Sequence, residues 1–255
     1  MLSIIPVPVI GEIESNANIS QIIIDSIKLS KIHLEEFDIL VIAQKIVSKA
    51  EMRMVNLRTV IPSTQALELA KIHDKDARLI QLVLNESKKM VRATKKHLIV
   101  QTKHGFICAN AGIDQSNVSN DPQYALLLPE NPDISARNIR KSIFQSTKKK
   151  VSVIICDTFG RPFRNGQTNV AIGISGIHPL KSYIGTSDVF GSTLKVTEIA
   201  IADEIASAAE LVMGKTLQIP VAIVRGYSYE FVESDLENKV DISILIRNQK
   251  DDLFV

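Results

Sequence analysis

Apolar residues recur along this chain at two spacings, and each spacing predicts a different kind of element. Ile19, Ile22, Ile23 and Ile27 return about once per helical turn, which predicts an amphipathic helix over 19–29. Residues 39–43 form the continuous apolar run Ile-Leu-Val-Ile-Ala, which predicts a strand buried on both faces and ending at Gln44 and Lys45. Residues 4–9 alternate like a strand, and Pro6 and Pro8 assign it to a sheet edge, because proline has no N–H to give a ladder. After Ser63, the positions Leu67, Ala70, Leu79, Leu82 and Val83 predict two helices with a break near His73 and Asp74. Residues 97–102 and 106–109 flank Lys103-His104-Gly105, a hairpin signal. Residues 121–132 contain three prolines and read as loop, and 134–146 return to helix. The run 151–156 predicts a second buried strand, capped by Asp157 and Thr158, with a further strand over 170–174. Ile201, Ile205, Ala208 and Val212 share the face of a helix over 197–213; residues 219–224 read as strand and the tail 235–254 as helix. Helices and strands are intermixed without an internal repeat, so the class is α/β, or mixed α+β, with mixed sheets.

Composition narrows the function classes. A chain of 255 residues holds one large domain or two small ones, and 45% hydrophobic with 23% charged residues is an ordinary globular mixture. The net charge of +2 argues neither for nor against a nucleic-acid partner; binders usually show a concentrated basic stripe, the one dense basic run here is three lysines, and no nucleic-acid partner is expected. Lys148, Lys149 and Lys150 read as a solvated turn before a strand. Cys108 and Cys156 lie in apolar runs outside any Cys-x-x-Cys pair, which predicts buried, reduced thiols and no zinc cage. The five histidines make no metal-binding pair on one helix face and are expected mostly at the surface. The first residues lack the basic start of a signal peptide, and no stretch approaches the ~20 apolar residues of a membrane span. The expectation is a cytoplasmic protein with no membrane partner.

The chemistry is sought where polar residues interrupt apolar strands. A carboxylate at Asp157, after a buried strand, needs a partner: an arginine, backbone amides or a metal ion. Asp157 with the Thr158 hydroxyl suits a hard cation such as magnesium or manganese; capping a turn and pairing with Arg161 is the plain structural reading. Gly160, Arg161, Pro162, Phe163, Arg164, Asn165 and Gly166 follow, and arginines match phosphate or carboxylate geometry. Asn110 to Asn117 is a turn-rich stretch after another strand, and Asp114 within it makes a two-carboxylate site with Asp157 if the strands are neighbours. Gln44, Lys45, Ser48 and Lys49 close the strand 39–43, where lysines can neutralise phosphates. Asp203 and Glu210 share one helix face, read as solvated. The stretch 209–216, ending Gly214-Lys215-Thr216, fits a relaxed phosphate-loop pattern, but it leaves a helix for a strand, the reverse of a P-loop.

Taken in order, six segments resemble the coenzyme F420-0:L-glutamate ligase family: residues 48–51 (Ser-Lys-Ala-Glu), 110–118 (Asn-Ala-Gly-Ile-Asp-Gln-Ser-Asn-Val), 157–164 (Asp-Thr-Phe-Gly-Arg-Pro-Phe-Arg), 171–176, 202–206 and 219–226. The resemblance implies a single F420 ligase-like catalytic unit over 1–255, with room for two subdomains, in an uncommon mixed fold working as an intertwined homodimer. It implies small-molecule substrates: GTP would phosphorylate the terminal carboxylate of F420-0, and the amine of L-glutamate would displace phosphate. It implies Mg2+ or Mn2+, two per site, with K+ as a further candidate. Asp114, Asp157 and Thr158 would hold the divalent ions. Nucleotide contacts would come from Pro8, Val9, Ile10, Gly11, Gln44, Lys45, Lys49 and Asn117, and from the turn Met213, Gly214, Lys215, Thr216, Leu217, Gln218 and Ile219. Arg161 and Arg164 are candidates for an anionic substrate on their chemistry alone. Several relatives have a longer, more acidic turn after Met-Gly; here it is the short, basic Lys215-Thr216-Leu217-Gln218, which bears on the second ion. The flavin-binding domain that some bacterial relatives add at the C-terminus is not expected in a chain reaching Val255. A transferase of the same fold with another acceptor, and a non-catalytic nucleotide sensor, are the competing readings.

Overall fold

A computed structural model of the chain describes every residue except Ile10, Lys96, Leu236, Glu237 and residues 253–255. Ser3–Val7 (β1) and Ile19–Leu29 (α1) precede Ile39–Ala43 (β2), Gln44–Ala50 (α2) and Met54–Asn56 (β3). Thr64–His73 (α3), Ala77–Asn85 (α4), Ser87–Ala93 (β4), Leu98–Thr102 (β5), Ile107–Ala109 (β6) and Tyr124–Leu126 (β7) follow. Pro132–Thr147 (α5) leads into the long hairpin Ser152–Arg161 (β8) and Arg164–Ser175 (β9). Lys181–Ser182 (β10), Glu198–Ile199 (β11), Ile201–Met213 (α6) and Val221–Arg225 (β12) complete the order.

The central sheet has five strands in the order β1-β12-β2-β8-β9, with β2 and β8 parallel and the other pairs antiparallel. Its middle is the apolar runs: Ile39, Leu40, Val41 and Ile42 of β2 and Val153, Ile154 and Ile155 of β8 are fully buried, as continuous apolar strands require. β1 lies at the edge, where Pro6 costs no interior ladder bond. Helix α1 starts where the Asn18 side chain accepts the Gln21 amide, satisfying an otherwise orphaned donor, and it buries Ile19, Ile23, Ile24 and Ile27. Helix α5 is capped by Asn131, opens on Pro132 and ends at Lys148 in the left-handed conformation, the turn expected of the lysine run. Helices α5 and α6 both pack against β9. Gly173 of β9 admits the start of α5: a Cβ there would meet the Pro132 carbonyl carbon at 2.5 Å. Two smaller apolar clusters lie apart from this core, one around Ile80, Leu98 and Val100 and one around Leu57, Ala125 and Leu127. Smaller sheets pair β3 with β7, β10 with β11, and β4-β5-β6. Among the described residues no helix is long and apolar enough to cross a membrane.

Several expectations need correction. Asp157 and Thr158 do not cap a strand: β8 runs on to Arg161, because the hairpin with β9 continues the ladder beyond the apolar run, turning at Pro162 and Phe163. Residues 121–132 are not all loop, since Tyr124–Leu126, between the flanking prolines, pairs with β3. The strand 87–93 gave no apolar signal, its outer positions being mostly exposed. The helix predicted over 197–213 begins at Ile201, with Glu198 and Ile199 in β11. The tail is not one helix; it forms short 3-10 turns at Ile242–Leu245, whose first amide is taken by Asp133, and at Gln249–Asp251. His73 is buried rather than at the surface.

Candidate functional site

The topology brings four chain segments to one end of the central sheet. β1, β2 and β8 all point their C-terminal ends that way, and β12 starts there: Val7 pairs with Val221, Val221 with Ile42, and Ala43 with Cys156. The crevice beyond the carboxyl ends of such strands is where ligands collect in open α/β sheets. Pro8, Val9 and Gly11 follow β1; Gln44, Lys45 and Lys49 lie on α2; Asp157 and Thr158 continue β8; residues 214–219 lead into β12. Ile10, also expected here, lies outside the described residues.

Asp114 arrives from the small sheets. After β6 the chain passes through Asn110, Ala111 and Gly112, all left-handed, with φ of 51°, 56° and 70°. Only glycine adopts this region without strain, so holding Ala111 there has a cost, and such strain collects at functional sites. The chain then bridges Leu126 through Asp114, whose amide and carbonyl make bonds of 3.0 and 2.8 Å. The Asp114 carboxylate meets Lys45 Nζ at 2.7 Å and accepts from the Ser116 amide and hydroxyl at 2.7 and 2.8 Å. Burial works against its charge, but the bonds from Lys45 and Ser116 prevail and hold its pKa below the usual carboxylate value.

Asp157 sits just past an irregularity in the β8–β9 register between Ile155 and Cys156, the kind of bulge that re-aims side chains beside a site. Its pKa is pushed up to about 7, first by burial and then by the Asp114 charge; its bond from the Thr158 amide and the charges of Lys215 and Lys45 act the other way. The Asp114 charge acts on Asp157, so the two carboxylates lie in one field. Among the described residues, no group of three or more His, Cys, Asp and Glu side chains gathers in metal-binding geometry. Two carboxylates and a hydroxyl suit magnesium or manganese, which take one or two carboxylates and complete their shell with water and substrate phosphates.

Beside Asp157 lies a network that the sequence reading missed. Thr158 Oγ1 donates to Asn169 Oδ1 at 2.7 Å, and Asn169 Nδ2 donates to Glu210 Oε2 at 2.9 Å. Lys215 Nζ reaches Thr158 Oγ1 at 2.5 Å and Glu210 Oε1 at 3.1 Å. The helix face of Asp203 and Glu210 is therefore not simply solvated: Asp203 accepts the Ala171 amide at 2.9 Å, and both side chains turn to β9. Their seven-residue spacing was the available signal; Asn169 had none. Both thiols are buried as expected, and burial pushes each up to about 12, so they are inert as nucleophiles.

The remaining candidates divide. Lys49 is half-buried on α2, one turn beyond Lys45, and among the described residues it forms no ion pair; Glu51 instead accepts from the Ser135 hydroxyl. Gln44 is buried and accepts from Ser48 at 2.8 Å, so it braces α2. Asn117 Nδ2 meets the Lys215 carbonyl at 3.5 Å, joining the Asp114 turn to the turn before β12, where Thr216, Leu217 and Gln218 are exposed and Met213 is buried. Arg161 and Arg164 face each other at the exposed hairpin tip, roughly 13 Å along the strand from Asp157 at about 3.3 Å per residue. The Arg161 guanidinium donates to the Asn165 carbonyl at 2.8 Å. They stand apart from the cluster of Asp114 and Asp157.

The sequence profile described as F420-0:Gamma-glutamyl ligase matches residues 9–226, a span holding this whole cluster. The chain belongs to the F420-0:gamma-glutamyl ligase family. It is 45% identical over 222 residues, 87% of this chain and 86% of the relative, to a coenzyme F420:L-glutamate ligase of Methanocaldococcus jannaschii. It is 47% identical over 215 residues to one of Methanosarcina mazei, covering 84% of this chain and 83% of the relative. Against one of Methanopyrus kandleri it is 39% identical over 254 residues, 99% of this chain and 97% of the relative. Among the family's site candidates in this chain, Pro8 alone lies before the matched span.

Proposed function

We propose that this member of the F420-0:gamma-glutamyl ligase family is a GTP-dependent ligase that adds L-glutamate to coenzyme F420-0. Family membership supplies the acceptor; the observation that carries the chemistry is the meeting of Asp114 with Lys45 and with Asp157 beside the end of β2, Thr158 following Asp157 along β8 and Lys49 one turn beyond Lys45 on α2. In this reading a carboxylate oxygen of F420-0 attacks the γ-phosphorus of GTP, the bond to the β–γ bridging oxygen breaks, and GDP leaves with the electron pair. The glutamate nitrogen then attacks the acyl carbon, the carbon–oxygen bond to phosphate breaks, and the nitrogen gives up its proton as the amide forms. Phosphoryl transfer of this kind depends on positioning and charge neutralisation rather than on a protein nucleophile.

Lys49 meets phosphate, and Lys45 keeps Asp114 ionised while facing the same crevice. Asp114, Asp157 and Thr158 are the residues that would hold Mg2+ or Mn2+, which when bound would offset charge on the transferred phosphoryl group. K+ is a further ion this reading allows. Residues 8–11, Asn117 and 213–219 border the nucleotide, with Gln44 bracing from below. Arg161 and Arg164 are offered to an anionic part of a substrate that extends along the hairpin. The proposed working form is a homodimer in the cytoplasm, supported by the large apolar side chains left outside around β10 and β11. Incubation of purified protein with F420-0, L-glutamate, GTP and Mg2+, followed by mass spectrometry, tests the reading: a product heavier by one glutamyl residue, or by several, is expected, with one GDP formed per glutamate added. GTP hydrolysis without that product would overturn it.

A further inference from the structure

One end of this site already holds an ammonium. Thr158 Oγ1, a ligand candidate for the second ion, already spends its hydrogen on Asn169 Oδ1 at 2.7 Å and accepts the Lys215 ammonium at 2.5 Å. Glu210, the remaining carboxylate nearby, is divided between Asn169 Nδ2 at 2.9 Å and Lys215 Nζ at 3.1 Å. Lys215 also lies 3.4 Å from Asn169 Oδ1, so three side chains from β8, β9 and α6 cradle one ammonium. The backbone delivers it there: Gly214 leaves α6 at φ 57°, and the short turn returns to β12 within a few residues. A divalent ion on the Thr158 hydroxyl would have to sit at roughly 2.0–2.1 Å from the same oxygen, against a like charge.

We propose that Lys215 supplies the second positive charge of this site, so that the chain takes one divalent ion, on Asp114 and Asp157, instead of two. The inference rests on the metal-dependent ligase reading and assigns Lys215 a place within it: a fixed cation at the Thr158 end of the phosphates. An ammonium is held covalently and does not dissociate with the product. Activity should therefore rise with metal concentration as a single hyperbola.

The test counts metal rather than turnover. Metal-stripped full-length protein is titrated with Mn2+ in the presence of a non-hydrolysable GTP analogue, and free Mn2+ is read by electron paramagnetic resonance. The wild-type chain should bind one Mn2+. Lys215→Glu should bind two, and Lys215→Met, which keeps the stem without the charge, should take the second at least ten-fold more tightly than the wild type does. Lys215 is more than half exposed, and its removal leaves the apolar core intact; circular dichroism checks the fold, and Lys215→Met stands if the glutamate variant misfolds. Two ions in the wild type would overturn the inference and leave the ligase reading standing. One ion in the wild type and in both variants would also overturn it, because Lys215 would not be what excludes the second. No Mn2+ bound in any of them, with the analogue bound, would overturn the metal reading and this inference together.

Discussion

The Lys45 ammonium lies 2.7 Å from Asp114 Oδ2 and ties the first turn of α2 to the strained turn after β6. The contact joins the end of the central sheet to the segment that follows the sheet β4-β5-β6. Both side chains are mostly covered, so the pair is worth somewhat more than an open surface bridge, about 1 kcal/mol. Asp114 has a folded pKa below its unfolded one, so its contribution is present above the unfolded value and is lost as pH falls through the folded one. Lys45→Met should therefore melt about 2–4 °C below the wild type at pH 7, and the gap should shrink as pH falls below the usual carboxylate range. A gap that persists unchanged in acid would assign Lys45 a packing role instead.

Asp157 behaves in the opposite sense. Its folded pKa, about 7, lies above the unfolded value, so the folded protein binds more protons between roughly pH 4 and 7 and loses stability as pH rises through that window. Discounted for partial solvent access, the loss is on the order of 1–2 kcal/mol at pH 8. Metal-free Asp157→Asn should melt about 2–6 °C higher than the wild type at pH 8, with the gap narrowing as pH falls and gone below the unfolded carboxylate value, and should lose at least 100-fold in ligase rate. Equal melting at pH 8 would mean that Asp157 finds a cation without added metal.

Lys49 forms no ion pair with the nearby Glu51 among the described residues, since Glu51 accepts from the Ser135 hydroxyl instead. Lys49→Ala should bind GTP on the order of 10- to 100-fold more weakly by calorimetry, the range for losing one charge-assisted bond to phosphate. Its melting temperature without ligand should stay the same or rise slightly. Unchanged affinity would remove Lys49 from the nucleotide site.

Val189, Phe190 and Val196 are 92%, 91% and 85% exposed on the segment between β10 and β11. Large apolar side chains this exposed are what a partner surface would cover. Light scattering should give twice the 28.2 kDa chain mass at micromolar concentration, and Phe190→Asp should shift the protein toward monomer. A wild-type monomer would refute the dimer.

What could be read in advance followed physical rules. The helix over 19–29 and the strand over 39–43 match their observed bounds, because an amphipathic stripe and a short apolar run each have one stable burial. Asp114 and Asp157 stood out as polar groups after apolar runs, and the Asp114 charge does act on Asp157 in the fold. The continuation of β8 was hidden because a hairpin beyond the core is held by backbone bonds, which any side chains permit. Glu210 and Asn169 were hidden because their meaning lies in each other, across two elements. The basic turn at Lys215 was visible as a departure from the family pattern, but the groups it meets required coordinates.

The pairing of Ser3 with Arg225 has a consequence for how the protein is made. More than two hundred residues separate the two strands, so at ~5–20 residues per second β1 leaves the ribosome roughly 10–45 s before β12 exists to receive it. Until then β1 is an unpaired apolar strand. Pro6 removes one of its amide donors and so blunts it as a template for other nascent chains. Because β12 lies between β1 and β2, the sheet end where the candidate site residues gather is complete only once residues 221–225 have been synthesised.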